Sequence, residues 1–299
     1  MQNHIDQEIG RRMTLSLGQQ TFPEDRLLVM AIINRTPDSF YDKGATFTDL
    51  SAFAAVERAI ASGADIVDIG GVKAGPGDVV SAEEERDRVA GFIQQVRSRY
   101  PKLIISVDTW RRDVARAACE AGADIINDAW GGYDPAVAEV AAEFGAGLVC
   151  THAAGVTPRT RPHRVEYEDV TTAVRAFLVD ELERVVTLGV DPRRVMVDPG
   201  HDFAKNTRHS LQLTGRLSEL TTIGAPLLVS LSNKDFIGET LNKAVPERLV
   251  GTLAATAVSA WLGARVFRVH QVEETQQVLQ MVQAIGGQRQ PLVSRRGLS

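Results

Sequence analysis

The sequence predicts an α/β fold, a TIM (β/α)8 barrel with eight parallel strands. Eight short apolar runs recur along the chain, and each ends at or just before a side chain that can hydrogen-bond or carry charge. Stretches with apolar residues at helical spacing separate the runs, which is the pattern of βαβ units. The C-terminal face of such a barrel brings eight polar strand ends to one site. The predicted strands are 27–33, 65–69, 103–107, 124–126, 147–150, 195–197, 227–229 and 266–269.

The segments between the runs favour helices, and three of them are followed closely by a glycine. Gly63, Gly122 and Gly145 stand where a left-handed C-cap favours this residue. The strands are short and nearly all apolar, as expected when both faces of a sheet are buried. The predicted helices are 51–63, 81–98, 111–122, 134–145, 166–189, 206–220, 246–263 and 272–286.

The length of the chain is compatible with a single barrel. A chain of 299 residues could hold two domains, but α/β barrels often run to about 250 residues as one domain. No linker-like stretch interrupts the middle of the sequence. We therefore predict a barrel domain at 23–286, a polar N-terminal tail at 1–22 and a basic C-terminal tail at 287–299.

Composition excludes several classes of protein. The net charge of -5 gives no global nucleic-acid footprint. No run of 18 apolar residues is present that could cross a membrane, and the N-terminal residues lack the apolar core of a signal peptide. Two cysteines, Cys119 and Cys150, cannot form a disulfide framework. We expect a reduced, cytoplasmic protein in which both cysteines are small buried hydrophobes.

The polar strand ends predict a site for a planar ligand. Carboxylates and an amide that face one cavity suit a ring with paired N–H donors, such as a guanine-like or pterin ring. Each residue also has a structural alternative: an Asx turn at Asn34, an N-cap at Asp108 and a simple Asp-Pro-Gly turn at Asp198. The strand ends are Asn34, Asp68, Asp108, Asn127, His152, Asp198, Lys234 and His270.

The last strand indicates an anion site. Arg268 and His270 are two residues apart, so they share a face of an extended strand. Phosphate sites often lie at the last strands of a barrel. The alternative for Arg268 is a salt bridge on the barrel rim. Asn34, at the first strand, could supply an oxygen to a magnesium ion or a phosphate.

Six motifs, each after its own strand, carry a family resemblance. NRTPDSF, SVDT, AGADIIND, DPGHDFAK, SNKDFIG and RVH occur in this order. Together they resemble dihydropteroate synthase of the folate pathway, over about residues 27–286. The resemblance implies a dimeric α/β barrel that joins p-aminobenzoate to 6-hydroxymethyl-7,8-dihydropterin pyrophosphate and releases pyrophosphate with the help of Mg²⁺.

The same resemblance assigns roles to individual residues. It implies that pterin is held by Asp108, Asn127, Asp198 and Lys234. It implies that pyrophosphate is held by Asn34, Arg268 and His270, and that Asn34 is the residue at the metal. The Ala-rich segment 251–264, which contains Trp261, is the expected dimer helix, because small residues allow close helix approach and the resemblance implies a symmetric dimer. The alternative is that this helix packs on the barrel wall alone.

Several loops depart from the family pattern. In the second loop, where the family reads D-I-G-G-E-S-T-R-P-G, Ala74 replaces the threonine near the second substrate and Gly75 replaces an arginine. In the seventh loop the family reads S-R-K-S, whereas this chain has Asn233 and Asp235 on either side of the lysine. The remaining departures are Thr151 and Ala153 for two methionines, His201 and Asp202 for an apolar residue and a glycine, and Gln271 for an aspartate.

The lost arginines predict impaired synthase activity. A hydrogen bond to a charged group contributes about 1.5–3 kcal/mol, so two lost arginines remove about 3–6 kcal/mol, or roughly a hundredfold to ten-thousandfold in transition-state binding. We expect a homologue that retains a pterin and pyrophosphate pocket with weak or no synthase activity. One alternative is an active synthase in which Arg35, Lys73 or the basic segment 159–164 replaces the arginines. Another is a ligand-binding protein without turnover.

Overall fold

The computed structural model describes residues 14–35, 49–75, 77–160 and 166–296, and within them eight parallel strands form a barrel. A short hairpin precedes the barrel. The hairpin strands are β1 (Leu15–Leu17) and β2 (Gln20–Phe22). The barrel strands are β3 (Leu28–Asn34), β4 (Ile66–Gly70), β5 (Ile104–Asp108), β6 (Ile125–Asp128), β7 (Gly147–Thr151), β8 (Val195–Asp198), β9 (Leu228–Val229) and β10 (Val266–Val269).

The strands follow the order β8-β7-β6-β5-β4-β3-β10-β9, and all neighbours are parallel. The remaining gap between β8 and β9 is bridged by a parallel pair, Val197 with Leu227. The Val197 amide also donates to the Pro226 carbonyl at 3.0 Å. The predicted TIM-barrel fold is therefore confirmed.

Helices surround the barrel in the described part of the chain. They are α1 (Asp49–Ala61), α2 (Ala82–Arg99), α3 (Arg112–Glu120), α4 (Val137–Phe144), α5 (Val170–Thr187), α6 (Thr207–Gly215), α7 (Asp235–Leu241), α8 (Leu249–Trp261) and α9 (Val272–Ile285). The predicted helix 206–220 is in fact α6 followed by a separate 3-10 segment, Leu217–Ile223. Helix α7 was not predicted, because seven residues are too few to show a helical period.

Local sequence sets several helix ends. Ser81 Oγ accepts a hydrogen bond from the Glu84 amide at 3.1 Å and caps α2. Gly63, Gly122 and Gly145 all have positive φ, and Gly145 is the left-handed C-cap of α4, as predicted. Both cysteines are buried and free. No helix in the described residues is long and apolar enough to cross a membrane.

The hairpin seals the lower end of the barrel. Leu15 and Leu17 are fully buried against interior strand residues such as Met30 and Met196. The structure therefore differs from the predicted N-terminal tail at residues 14–22; residues 1–13 lie outside the described residues. The sequence pattern missed this segment because strands of three residues are too short to show an alternation. At the other end, residues 287–296 form no helix or strand.

The barrel interior changes from apolar to polar along the strands. Because side chains alternate along a strand, every second residue points inward. The lower interior positions are apolar and fully or almost fully buried: Leu28, Met30, Ile66, Ile104, Ile125, Val149, Met196, Leu228 and Val266. Except for Ile32 and Gly70, the positions that continue this alternation toward the C-terminal ends are polar, among them Asn34, Asp68, Ser106, Asp108, Asn127, Thr151, Asp198 and Arg268. The C-terminal mouth is thus the polar end of one continuous interior.

Candidate functional site

A single guanidinium organises the floor of the mouth. Arg268 Nε donates to Asp68 Oδ2 at 2.6 Å, and its Nη2 donates to Asp108 Oδ2 at 2.7 Å. Asn127 Nδ2 donates to the same Asp68 oxygen at 3.1 Å. The register of β4, β5 and β6 places these residues side by side. The structure thus brings Asp108, Asn127 and Arg268 together through Asp68, which is fully buried.

Burial controls the charge of these carboxyl groups. Burial raises the pKa of Asp108 from 3.8 to about 7; Arg268 opposes this shift, and nearby Asp68 adds to it. A protonated Asp108 would donate a hydrogen bond, whereas an ionised one only accepts. Asp68 Oδ1 is buried and has no hydrogen-bond partner among the described residues. An unsatisfied buried acceptor is costly, so this atom marks a place where a donor is missing.

Asp198 and Lys234 form the second part of the mouth. Asp198 Oδ1 accepts from the Gly200 amide at 2.7 Å, which is the predicted Asp-Pro-Gly turn. Lys234 Nζ donates to the His201 carbonyl and lies 4.9 Å from the centroid of the Phe203 ring. Burial raises the pKa of Asp198 and lowers that of Lys234, while the charge of each favours the ionised form of the other. The turn and the mouth therefore use the same aspartate.

His270 and Ser232 lie beside Arg268. His270 Nδ1 is 2.9 Å from Ser232 Oγ. Burial, reinforced by the charge of Arg268, lowers the pKa of His270 to about 3, so the imidazole is neutral at neutral pH. Gln271, at the position of the family aspartate, accepts from Ser232 Oγ at 3.1 Å. Asn34 ends β3 at the same face of the barrel, half-buried.

His152 does not converge on the mouth. It follows β7, whose last residue, Thr151, occupies the inward position. The ring of His152 lies edge-on to Phe177 of α5, with centroids 5.0 Å apart. The convergence expected of all eight strand ends is therefore wrong for this one, because strand alternation turns the residue after Thr151 outward.

The seventh loop directs its altered residues away from the mouth. Asn233 has φ 57, is only 2% exposed, and its backbone N–H donates to Thr252 Oγ1 of α8 at 3.1 Å. Arg248 donates to the Asn233 carbonyl at 2.8 Å and pairs with Asp235 at 2.9 Å. The replacement carboxylate thus binds an arginine at the start of α8.

The side chains of His201 and Asp202 also contact the surrounding helices α6 and α7. His201 Nε2 is 3.0 Å from Thr214 Oγ1 of α6. Asp202 accepts from Ser210 Oγ at 3.1 Å and from the Phe236 amide at 3.3 Å, which ties the loop to α6 and α7. These two departures from the family pattern therefore connect the sixth loop to the helices behind it.

Two candidate replacement cations are engaged elsewhere. The Arg35 guanidinium lies 4.6 Å over the Phe92 ring and bonds to Asp49 at 2.5 Å. Arg159 donates to the carbonyls of Gly75 at 3.3 Å and Asp78 at 2.5 Å, so it fastens the second loop. The other basic residues predicted in the fifth loop, Arg161, His163 and Arg164, lie outside the described residues.

An aromatic cluster beside the polar mouth was not predicted. Trp110 and Trp130 follow β5 and β6 and are almost fully buried together with Val72 and Ala153. The two indoles meet edge-to-face at 6.2 Å, and Trp130 meets Phe203 at 5.0 Å. Ala153 stands where the family has a methionine, so an indole packs where that longer side chain is missing. The sequence signal was the occurrence of a tryptophan two residues after Asp108 and again after Asp128.

Comparisons with known proteins agree with the site. The family model described as Pterin binding enzyme matches residues 30–270. A protein of Mycobacterium leprae (strain TN) named Inactive dihydropteroate synthase 2 is 57% identical over 279 residues, which cover 92% of this chain and 96% of that protein.

Solved structures give the same result. The Yersinia pestis dihydropteroate synthase in a sulfonamide drug complex has a TM-score of 0.87 at 34% identity, covering 92% of this chain and 100% of that one. The Xanthomonas albilineans dihydropteroate synthase in complex with 7,8-dihydropteroate has a TM-score of 0.79 at 35% identity, covering 91% and 98%.

The raised pKa of Asp108 predicts a pH-dependent stability. Between pH ~4 and ~7 the folded chain retains a proton that the unfolded chain releases, so this stabilising contribution is present at low pH and is lost as pH rises to about 7. Asp108→Asn cannot release that proton. Its free energy of unfolding should therefore fall less steeply across this window than that of the wild type, by up to about 1.4 kcal/mol per pH unit.

Urea unfolding at several pH values measures this difference, with the exposed Asp87→Asn as a matched control. Equal slopes for the wild type and Asp108→Asn would contradict the assigned protonation.

Proposed function

Because the chain belongs to the pterin binding enzyme family, as a divergent homologue of dihydropteroate synthase, we propose that it binds 6-hydroxymethyl-7,8-dihydropterin pyrophosphate at the barrel mouth and has weak or no synthase activity. The observation that carries the pocket is the set of polar side chains at the barrel mouth: Asn127 and Asp198 are buried, Asp108 and Lys234 are half-buried, and Arg268 binds Asp108 directly and Asn127 through Asp68. The relative named inactive supports the second part.

The pterin ring would be recognised by its amino-pyrimidine edge. Asp198 offers a carboxylate, of which Oδ1 already accepts a hydrogen bond from the Gly200 amide. A carboxylate accepts two parallel N–H bonds from a planar amidine-like edge. Asn127 carries both a donor and an acceptor, and Asp108 near its pKa of about 7 can exist in either form.

Pyrophosphate would lie toward β3 and β10. Asn34, Arg268 and His270 are the residues we assign to it. Arg268 already faces two carboxylates, and His270 is neutral, so the cationic charge available to the anion is small. No group of three or more His, Cys, Asp or Glu residues in the described part of the chain could hold a metal by itself.

Magnesium is still compatible with this donor set. Mg²⁺ commonly uses one or two protein oxygens together with substrate phosphates and water, and the Asn34 amide would supply one such oxygen. When bound, the ion would offset negative charge on the departing pyrophosphate. Arg268 would orient the same anion, and Lys234 would hold the ring.

The proposed impairment follows from the two family arginines that this chain replaces. In the synthase reaction the arylamine nitrogen attacks the methylene carbon while the carbon–oxygen bond to pyrophosphate breaks, and the new C–N bond leaves the nitrogen with a proton that is released to solvent. Negative charge therefore grows on the leaving group. Electrostatic stabilisation of that charge is a large part of such catalysis. Gly75 and Asn233 replace two arginines, and Arg35 and Arg159 are bound to other groups. Lys is not equivalent to Arg where bidentate geometry counts, so Lys73 would not compensate fully.

We also propose that the chain forms a homodimer and works in the cytoplasm. Helices α8 and α9 lie side by side and expose large apolar side chains among the described residues: Val250, Val258, Trp261, Met281 and Ile285. Trp261 is 62% exposed, which is unusual for tryptophan. A second copy of the chain would cover this surface.

Ligand binding tests the pocket. Asp198→Asn keeps the size of the side chain but removes the charge and one acceptor, so 6-hydroxymethylpterin should bind at least about tenfold more weakly by titration calorimetry. The variant Asp191→Asn is the control, because this half-buried aspartate caps the short turn that precedes β8, at the end of the strand away from the mouth. Unchanged affinity in Asp198→Asn would show that the pocket is assigned to the wrong residues.

Steady-state kinetics with both substrates tests the impairment. We expect a kcat/KM at least about a hundredfold below that of an ordinary synthase. Ala74→Thr with Gly75→Arg should raise it about tenfold or more, because it restores a cation. Among the described residues a Cβ at Gly75 would meet the Lys73 side chain alone, at 3.5 Å, so the larger side chain has room there. Adding Asn233→Arg should destabilise the fold more than the other two changes, since position 233 is buried and has a left-handed backbone conformation.

A wild-type kcat/KM in the normal range would overturn the impairment and leave an active synthase. Ligand binding without turnover in the wild type and in both repaired variants would favour a binding protein.

Light scattering tests assembly. The wild type should be a dimer at micromolar concentration, and Trp261→Glu should shift it toward the monomer because a charge would be buried in the interface. Leu292→Glu, which changes an exposed residue outside α8 and α9, is the control. A monomeric wild type would reject the proposed dimer.

A further inference from the structure

Lys205 is the last residue of the DPGHDFAK motif and has no role in the proposed binding of the ligand. It is buried, only 7% exposed. Its Nζ lies 2.8 Å from His152 Nδ1, and it donates to the carbonyls of His152 at 3.2 Å, Gly200 at 3.0 Å and Phe203 at 3.0 Å. An ammonium has three donors and no acceptor, so these four acceptors occupy it completely.

These bonds join two loops at the mouth. His152 belongs to the loop after β7, whereas Gly200 and Phe203 belong to the loop after β8. The same two loops are joined through the backbone, because the His152 amide donates to the Asp198 carbonyl at 3.0 Å. Their contact is close: a Cβ at Gly200 would lie 2.1 Å from the His152 carbonyl oxygen.

The loop after β8 has a backbone that needs such support. Gly200, Asp202 and Ala204 all have positive φ, of 68, 65 and 50 degrees. Non-glycine residues rarely adopt this region, and they remain there only when the surroundings impose it. Lys205 binds the carbonyls of Gly200 and Phe203, which lie on either side of Asp202 in the chain.

The held loop presents two groups to the mouth. One is the Asp198 carboxylate, fixed by the Gly200 amide at 2.7 Å. The other is the Phe203 ring, which lies 5.0 Å from Trp130 and 4.9 Å from Lys234 Nζ. Both depend on the backbone that Lys205 binds, although Lys205 itself bonds to neither side chain.

We propose that Lys205 is a positioning residue for the mouth: its buried ammonium fixes the loops after β7 and β8 so that Asp198 and Phe203 are set for a flat, N–H-rich ring. This inference rests on the proposed function for the identity of the ring. The coupling between the two loops does not depend on the proposed function, and it can be measured without ligand.

The charge of Lys205 also gives a pH signature. Asp198 is faced by the cations of Lys234, Lys205 and Arg268 and by the Gly200 amide, and burial raises its pKa against all of them. Burial lowers the pKa of Lys205 to about 7; Lys234 adds to this shift, whereas Asp198 and Asp202 oppose it, so the ammonium form dominates below pH 7. The adjacent imidazole is neutral in that range, because burial lowers the pKa of His152 to about 3. Loss of the Lys205 charge should raise the pKa of Asp198 further. Protonation of Asp198 at acid pH should weaken binding of the ring. When the Lys205 charge is lost, this weakening should therefore begin at a higher pH.

A graded series of variants tests the role. Lys205→Arg keeps charge and donors, Lys205→Gln keeps donors without charge, and Lys205→Met keeps neither. The probe is 6-hydroxymethylpterin, and its affinity should fall in that order. Lys205→Met should bind it at least about tenfold more weakly than the wild type, and Lys205→Arg should stay within about threefold of the wild type. The acid limb of the affinity should move to higher pH in Gln and Met only. The exposed Lys243→Met, which breaks only a surface pair with Glu247, should match the wild type.

Hydrogen exchange without ligand completes the test. The His152 and Gly200 amides should exchange faster in Lys205→Met, although Lys205 bonds to neither. If Lys205→Met does not fold, the difference in affinity and exchange rate between Lys205→Arg and Lys205→Gln tests the role instead. Equal affinities and exchange rates in the wild type and Met, or equal losses in Arg and Gln, would overturn the proposal. If the wild type does not bind the probe, the proposed function fails, and exchange at the two amides alone decides the positioning role.

Discussion

The mouth of this barrel depends on the contact between Arg268 and the two carboxylates of Asp68 and Asp108. Three strands, β4, β5 and β10, meet through this one guanidinium. A buried charge without a partner is strongly destabilising, by about 3–5 kcal/mol when one member of a buried pair is removed. The arginine and the aspartates therefore require one another, and the remaining polar residues are arranged around them. Asn127 reaches the site through Asp68.

That contact also limits what the site can do. An arginine that neutralises two carboxylates has less charge to offer to an anion, and burial makes the neighbouring His270 neutral. Lys234 is assigned to the ring, so we expect further cations for the anion to come from the loops. Two arginines of the loops are instead tied to carbonyls, carboxylates and a ring: Arg35 to Asp49 and Phe92, and Arg159 to the second loop. Arg248 is bound in the same way to Asp235.

The departures from the family pattern thus have structural partners. Asp235 has Arg248, Asp202 has Ser210 and the start of α7, and His201 has Thr214. Trp130 packs beside Ala153, which is smaller than the methionine of the family. The altered residues thus stay within the barrel fold, although three of them keep a buried atom without a hydrogen-bond partner among the described residues: Thr151 Oγ1, His201 Nδ1 and Asn233 Nδ2. We expect the two lost arginines to affect the chemistry of the mouth rather than the fold. A barrel separates these two requirements, because its loops can change while its strands keep the core.

The sequence by itself determined the barrel, the eight strands and the polar character of their C-terminal ends. Apolar runs and helical spacing are local patterns, and they specify elements wherever tertiary packing agrees with them. The alternation of Leu28, Met30 and Asn34 even contains the change from apolar interior to polar mouth, because each lies an even number of residues from the others. The cap at Gly145 was also readable, since its left-handed conformation favours glycine.

Only the tertiary structure decided which polar groups meet. Asp68 and Arg268 are 200 residues apart in sequence, and nothing local indicates that they form a pair. His152 ends an apolar run like its neighbours, yet one step of strand alternation turns it outward to Lys205. The hairpin that contains Leu15 and Leu17 was also not predicted, because three-residue strands are too short to show an alternation. These leucines are buried because the hairpin covers the open lower end of the barrel. Composition and spacing specify the elements, whereas long-range packing determines the partners of each charge.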